Sequence, residues 1–136
     1  MEQVNKIDWE KMDGLIPVIT QDATTNEVLM LAYMNKEALE LTIKTNYAHY
    51  YSRSKQRLWK KGESSNHLQE IVNILVDCDN DTILLKVNQE GVACHTGRKS
   101  CFFTDLNTNE TICDVQIDTS SAYGVIDTLY HTILEK

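Results

Sequence analysis

With 136 residues, one proline and no Gly/Ser-rich linker, the chain has the length of one domain and can bury roughly 65–70% of its unfolded surface without disulfides. Its net charge of −7 and pI near 5.0 argue against general nucleic-acid or anionic-membrane binding, which needs a positive field. No run approaches the ~18 apolar residues of a membrane helix, and the opening MEQVNKIDWE lacks an apolar export core, so the expected compartment is the cytoplasm.

Residues 16–21 (IPVITQ) and 28–33 (VLMLAY) are apolar and β-branched around a polar Asp22–Glu27, which predicts a hairpin with a loose turn. Asn35 is placed to cap a helix reaching about Thr45, with Glu37 in its first turn and Leu39 and Ile43 four apart. Tyr47–Ser52 and Leu58–Lys60 read as short strands around a basic turn. His67–Val76 and Thr82–Val87 form the clearest strand pair, with Asp79–Asp81 at the join. Cys101–Asp105 and Thr111–Ile117 suggest a further hairpin across Asn107–Asn109. In the tail, Ile126, Leu129, Tyr130, Ile133 and Leu134 fall at helical spacing behind Ser120 and Ser121. The whole predicts a strand-dominated α+β domain over residues 1–118, with one internal helix, followed by an amphipathic helix over 119–136.

Three features carry chemistry. Asp77, Asp79 and Asp81 alternate with Cys78 and Asn80. In extended chain the carboxylates share one face and Cys78 takes the other. Crowded carboxylates repel unless a cation neutralises them, and oxygen-only ligands suit a hard ion such as Mg²⁺; the bland alternative is a solvated acidic turn.

The second feature is the cysteines, four in all. In a reducing compartment they are ligands or buried hydrophobes rather than disulfides. Cys78, Cys94 and Cys101 are not spaced as C-x-x-C. GVACHTGRKSC, residues 91–101, packs two Cys, His95, Arg98 and Lys99 around Gly97. Three thiolates with one position open are the pattern of a catalytic zinc. His95 is then a fourth ligand or a general base. Cys113 reads as a packed thiol, and His49 and His131 as structural.

The third feature is the placement of bases. Arg53, Lys55, Arg57, Lys60 and Lys61 lie within 52–61, and Arg98 and Lys99 follow later, together seven of thirteen Lys and Arg. This is a solvated face or a site for a phosphorylated small molecule. Trp59 stacks on a heterocycle or belongs to the core, and His67 faces the site or the solvent.

Taken together, GLIPVITQD, EVLMLAYMN, YYSRSKQRLWKKGE, DCDND and ACHTGRKSC, in this order, resemble phosphoribosyl-AMP cyclohydrolase of histidine biosynthesis over about residues 7–105. The resemblance implies a compact, mostly β domain that forms an intertwined homodimer with zinc shared between subunits. It implies Cys78, Cys94 and Cys101 as zinc ligands, Asp77, Asp79 and Asp81 as magnesium ligands, and His95 as the acid–base group. Arg53, Trp59, Lys60, Glu63, His67, Arg98 and Lys99 are the candidate substrate contacts. Lys99 stands where the family has a second Arg, and Asn66 where it has Gly. The tail resembles the opening helix of a fused phosphoribosyl-ATP pyrophosphohydrolase domain, as a remnant; the alternative is a helix packed on its own body.

The implied reaction opens the adenine ring of 1-(5-phosphoribosyl)-AMP at N1–C6, with water activated by zinc attacking C6. A zinc nucleoside deaminase would need H-x-E and P-C-x-x-C, which are absent. A Mg²⁺ phosphohydrolase would use the aspartates alone. A non-catalytic zinc-stabilised dimeric binding module would not depend on His95.

Overall fold

The computed structural model describes residues 1–117. The predicted tail helix over 119–136 lies outside them. After a 3-10 turn at Glu2–Lys6 come β1 (Ile16–Asp22), β2 (Val28–Met34), α1 (Lys36–Thr45), β3 (His49–Ser52), β4 (Arg57–Lys60), β5 (Gln69–Val76) and β6 (Ile83–Gln89). One sheet runs β2-β1-β6-β5, and β3 and β4 form a second, two-stranded sheet. All pairs are antiparallel except β1 with β6, which is parallel.

Alternation explains the sheet. Ile16, Val18, Thr20 and Asp22 point inward from β1, and Ile83, Leu85 and Val87 do so from β6, the period of two expected of a half-buried strand. Their apolar members join Leu29, Met30, Met34, Tyr50 and Trp59 in the core. In β2, Met30 pairs with Thr20 but Val28 pairs with Gln21, so Leu29 is the extra residue of a bulge. Both Leu29 and Met30 are buried as a result.

Asn35 starts α1 as expected, its side chain accepting from the Ala38 N–H at 2.8 Å. Asn46 ends it in the left-handed region with φ 66°, its N–H donating to Thr42 O. A polar chain threads the core. The Thr20 and Tyr50 hydroxyls lie 2.7 Å apart, Tyr50 donates to Gln69 Oε1 at 2.6 Å, and Gln69 Nε2 donates to Gln89 Oε1 at 2.8 Å. Because Tyr50 gives its proton to Gln69, the Thr20 hydroxyl is the donor in the first bond. This chain fixes β3 on the larger sheet.

One expectation needs correction and another holds only in part. Residues 77–82 are a turn, not extended chain: Asp77 Oδ1 accepts the N–H of Asp81 and of Thr82 at 3.0 and 3.2 Å, and Asn80 takes φ 63°. Asx bonding of this kind competes with the strand ladder. The hairpin expected of 101–117 closes across Asn107–Asn109 without forming a named strand pair: Asp105 N–H donates to Glu110 O at 2.8 Å and Ile112 N–H to Phe103 O at 2.7 Å. Thr104 bridges Thr111 singly, and Asp105 Oδ1 caps the turn by accepting from Asn107 and Thr108 N–H. No described helix is long and apolar enough to cross a membrane.

Candidate metal-binding and catalytic site

The acidic turn joins β5 to β6. One carboxylate oxygen from each of Asp77, Asp79 and Asp81 lies within 4.8 Å of the others, and this is the one such convergence of acidic, His or Cys side chains among the described residues. The N-terminal segment docks on it: Asp8 N–H donates to Asn80 O at 2.8 Å, and Lys11 Nζ reaches Asp79 at 3.1 Å and Asp81 at 2.9 Å. The Lys11 hydrogen bond holds the Asp81 carboxyl down to about 2. In turn, Asp81 and Asp79 raise the Lys11 ammonium. The turn thus collects carboxylate charge and already meets one cation. Oxygen donors at this separation fit a hard divalent ion.

Cys94 and Cys101 sit in the second cluster. Cys94 is buried, and its Sγ lies 3.1 Å from Thr96 Oγ1. Its thiol is pushed down to about 5, chiefly by a hydrogen bond with Cys101; burial opposes this, and Thr96 and His95 support it. A thiol biased to thiolate is what a zinc ligand requires. Cys78, exposed at the acidic turn, does not complete a three-residue ligand cluster with this pair among the described residues. One chain therefore offers two thiols in one place and a third elsewhere, and thiolate donors are the kind that suit Zn²⁺.

Long-range bonds build the cysteine loop. The bulge residue Leu29 offers its carbonyl to the Cys101 N–H at 2.7 Å, and Ser100 Oγ donates to Val28 O at 2.6 Å. Cys94 N–H donates to Arg98 O, Gly97 N–H to Cys94 O and Ala93 N–H to Lys99 O, each at 3.1 Å. Gly97 takes φ 86° in that turn, a backbone that favours glycine. His95 follows Cys94 and is half-buried.

The candidate substrate contacts divide. Lys99 Nζ bonds Asp22 at 3.1 Å and Glu27 at 2.9 Å, clasping the β1–β2 turn to the loop. Arg98 Nε donates to Cys113 O at 2.8 Å while its guanidinium covers Phe103. Arg53 is exposed and lies 3.9 Å from the Tyr33 ring centroid. With Tyr33, Ser52 and Trp59 it lines a cavity of about 130 Å³. Trp59 is 3% exposed and packs on Tyr50, so its core role is the one observed. Lys60 lies 5.0 Å from the Tyr47 ring. Burial raises the Glu63 carboxyl against the pull of Arg57, 3.9 Å away. His67 packs its ring on Gly91. Asn66 adopts φ 65°, the left-handed backbone that a glycine would supply. The roles of Leu29, Lys61 and Lys11 were not visible as site features; Lys61 lay within a run of bases, which hid its burial.

Fold and clusters together define a small α+β domain with an acidic cluster and a cysteine pair in two separate places. The family model for phosphoribosyl-AMP cyclohydrolase matches residues 30–103. A phosphoribosyl-AMP cyclohydrolase of Clostridium botulinum is 54% identical over 105 residues, 77% of this chain and 96% of that protein. Another, from Archaeoglobus fulgidus, is 59% identical over 100 residues, 74% of this chain and 93% of its own. The histidine biosynthesis bifunctional protein HisIE of Wolinella succinogenes is 59% identical over 132 residues, 96% of this chain. The chain spans 57% of that bifunctional relative and 58% of its Helicobacter hepaticus counterpart. The chain belongs to the phosphoribosyl-AMP cyclohydrolase family.

Proposed function

We propose that this chain hydrolyses the N1–C6 bond of 1-(5-phosphoribosyl)-AMP, as a homodimer that holds Zn²⁺ and Mg²⁺. Family membership supports the activity. The observation that carries the site is the Cys94–Cys101 pair, with its thiolate bias, beside His95. Water adds across the bond: its oxygen becomes the C6 carbonyl, one of its protons goes to N1 and the other to the exocyclic nitrogen of the new carboxamide, and the ring opens without release of ammonia or phosphate.

Zinc, held by Cys94 and Cys101 of one subunit and Cys78 of the other, would lower the pKa of a water and polarise the reacting carbon. His95, next to Cys94 in the chain, would take the proton from water and deliver it to N1. Asp77, Asp79 and Asp81 would hold Mg²⁺, at the turn where Lys11 meets Asp79 and Asp81. Arg53, beside its cavity, and Arg98 are assigned to the phosphates. Lys60, Glu63 and His67 border the same chain segments. The Lys99 ammonium already holds two carboxylates, so we assign it to the scaffold.

The test follows the ultraviolet change as purine becomes imidazole carboxamide, before and after zinc chelation. Activity that chelation removes and Zn²⁺ restores is the expected result. Zinc binding at one per chain without turnover would refute the assignment and leave a binding module.

A further inference from the structure

The connection from β4 to β5 grips the segment leading into Cys94 at three points. Lys61 Nζ donates to Ala93 O at 2.6 Å. The Glu90 N–H donates to Leu68 O at 2.9 Å. The His67 ring covers Gly91 so closely that a Cβ there would lie 2.5 Å from its Cδ2.

Lys61 is 1% exposed. Its own N–H donates to Ala48 O at 3.0 Å, and its Nζ lies 5.7 Å from the Trp59 ring centroid. A buried ammonium is costly unless hydrogen bonds offset its desolvation. Methionine would fill this space without that cost, so packing does not account for a lysine here. What lysine adds is a charge-assisted bond. The acceptor is the carbonyl of the residue immediately before Cys94. The Ala93 N–H is also taken, by Lys99 O at 3.1 Å. Ala93 is therefore held from both sides.

We propose that Lys61 is a positioning residue: its buried ammonium fixes the Ala93 carbonyl and thereby the direction in which Cys94 presents its sulfur. The consequence for zinc rests on the function proposed above; the hold on the loop does not.

The experiment compares the full chain with its Lys61→Met and Lys61→Arg variants. In metal-free protein, hydrogen exchange is read at the Cys94 and Gly97 amides and, as reference, along β1 and β6. Zinc affinity by chelator competition, kcat and KM are then measured. Lys61→Met should speed exchange at Cys94 and Gly97 at least about tenfold with β1 and β6 unchanged. It should weaken zinc by ~10–100-fold, the usual cost of losing a ligand's support, and lower kcat more than it raises KM. Lys61→Arg, which keeps a charged donor, should recover most of each loss. Unchanged loop exchange in a folded Lys61→Met protein overturns the proposal, as does uniform loosening of loop and sheet. If Lys61→Met does not fold, Lys61→Gln is judged by the same exchange pattern. A wild-type chain that binds no zinc would sink the metal reading, and the exchange data would still decide the role of Lys61.

Discussion

In the β5–β6 turn, three carboxylates from Asp77, Asp79 and Asp81 meet because the intervening backbone folds back on Asp77 Oδ1. In the 91–101 loop, Cys94 and Cys101 meet because the loop is held from elsewhere in the chain: by the Leu29 and Val28 carbonyls, by Lys61, and by the Asp22 and Glu27 carboxylates that bond Lys99. The first cluster is shaped chiefly by its own few residues, with Asp8 and Lys11 docked on it from outside. The second depends on the whole fold. A locally built site tolerates damage elsewhere, whereas a fold-built site transmits it.

The largest effect expected from this contrast is at Cys94. Cys94→Ser should remove zinc and cut kcat by more than the ~10–100-fold that loss of a supporting group causes, with Mg²⁺ binding at the acidic turn intact. Calorimetric titration of each metal reads both halves, and joint loss would show that the two places form one unit. Gly91→Ala comes next. A methyl at φ 65° would strike the His67 ring at 2.5 Å, so stability should fall by about 1–3 kcal/mol. Urea denaturation measures this, and an unchanged midpoint would refute the tight contact.

Lys99→Met should cost less, about 1 kcal/mol. It also has a pH signature. Burial pushes the Asp22 carboxyl up, but the Thr25 and Thr24 N–H groups and Lys99 outweigh it, leaving it below its ordinary 3.8. Such a depressed group stabilises the fold fully above 3.8 and loses that contribution as pH falls through its folded value. Without Lys99 the folded value rises, so the stabilisation shrinks and the variant should begin to unfold at higher pH in an acid titration followed by circular dichroism. The smallest effect belongs to Lys11→Met. It frees exposed Asp79 and half-buried Asp81 from an ammonium, so Mg²⁺ should bind a few-fold tighter with folding little changed. Weaker Mg²⁺ binding would mean that Lys11 supports the ion instead of competing with it.

The same contrast explains what the sequence disclosed. The β1–β2 hairpin, the Asn35 cap, the strands around the basic turn and the β5–β6 pair are set by neighbours in sequence, and their periodicity announced them. The acidic triplet was legible for the same reason, although a turn and not strand alternation brings it together. The partners of Lys61 and Lys99 were not legible because composition shows charge without showing depth. One is buried against a carbonyl and the other bound to two carboxylates. The bulge at Leu29 had no local mark, since its purpose is a bond to Cys101 far along the chain.

The parallel pairing of β1 with β6, Val18 beside Ile83, has a consequence for how quickly the protein forms. The hairpins β1–β2, β3–β4 and β5–β6 each close over short loops. The parallel pair must close over almost everything between, and loop entropy opposes that contact until the local pieces exist. Docking of preformed hairpins through β1 and β6 should therefore limit the folding rate, and the cysteine loop, which needs Leu29 beside β1 and Lys61 beside β4, can take shape only after that step. Metal should accordingly slow unfolding far more than it speeds folding, a difference that stopped-flow traces with and without Zn²⁺ would expose.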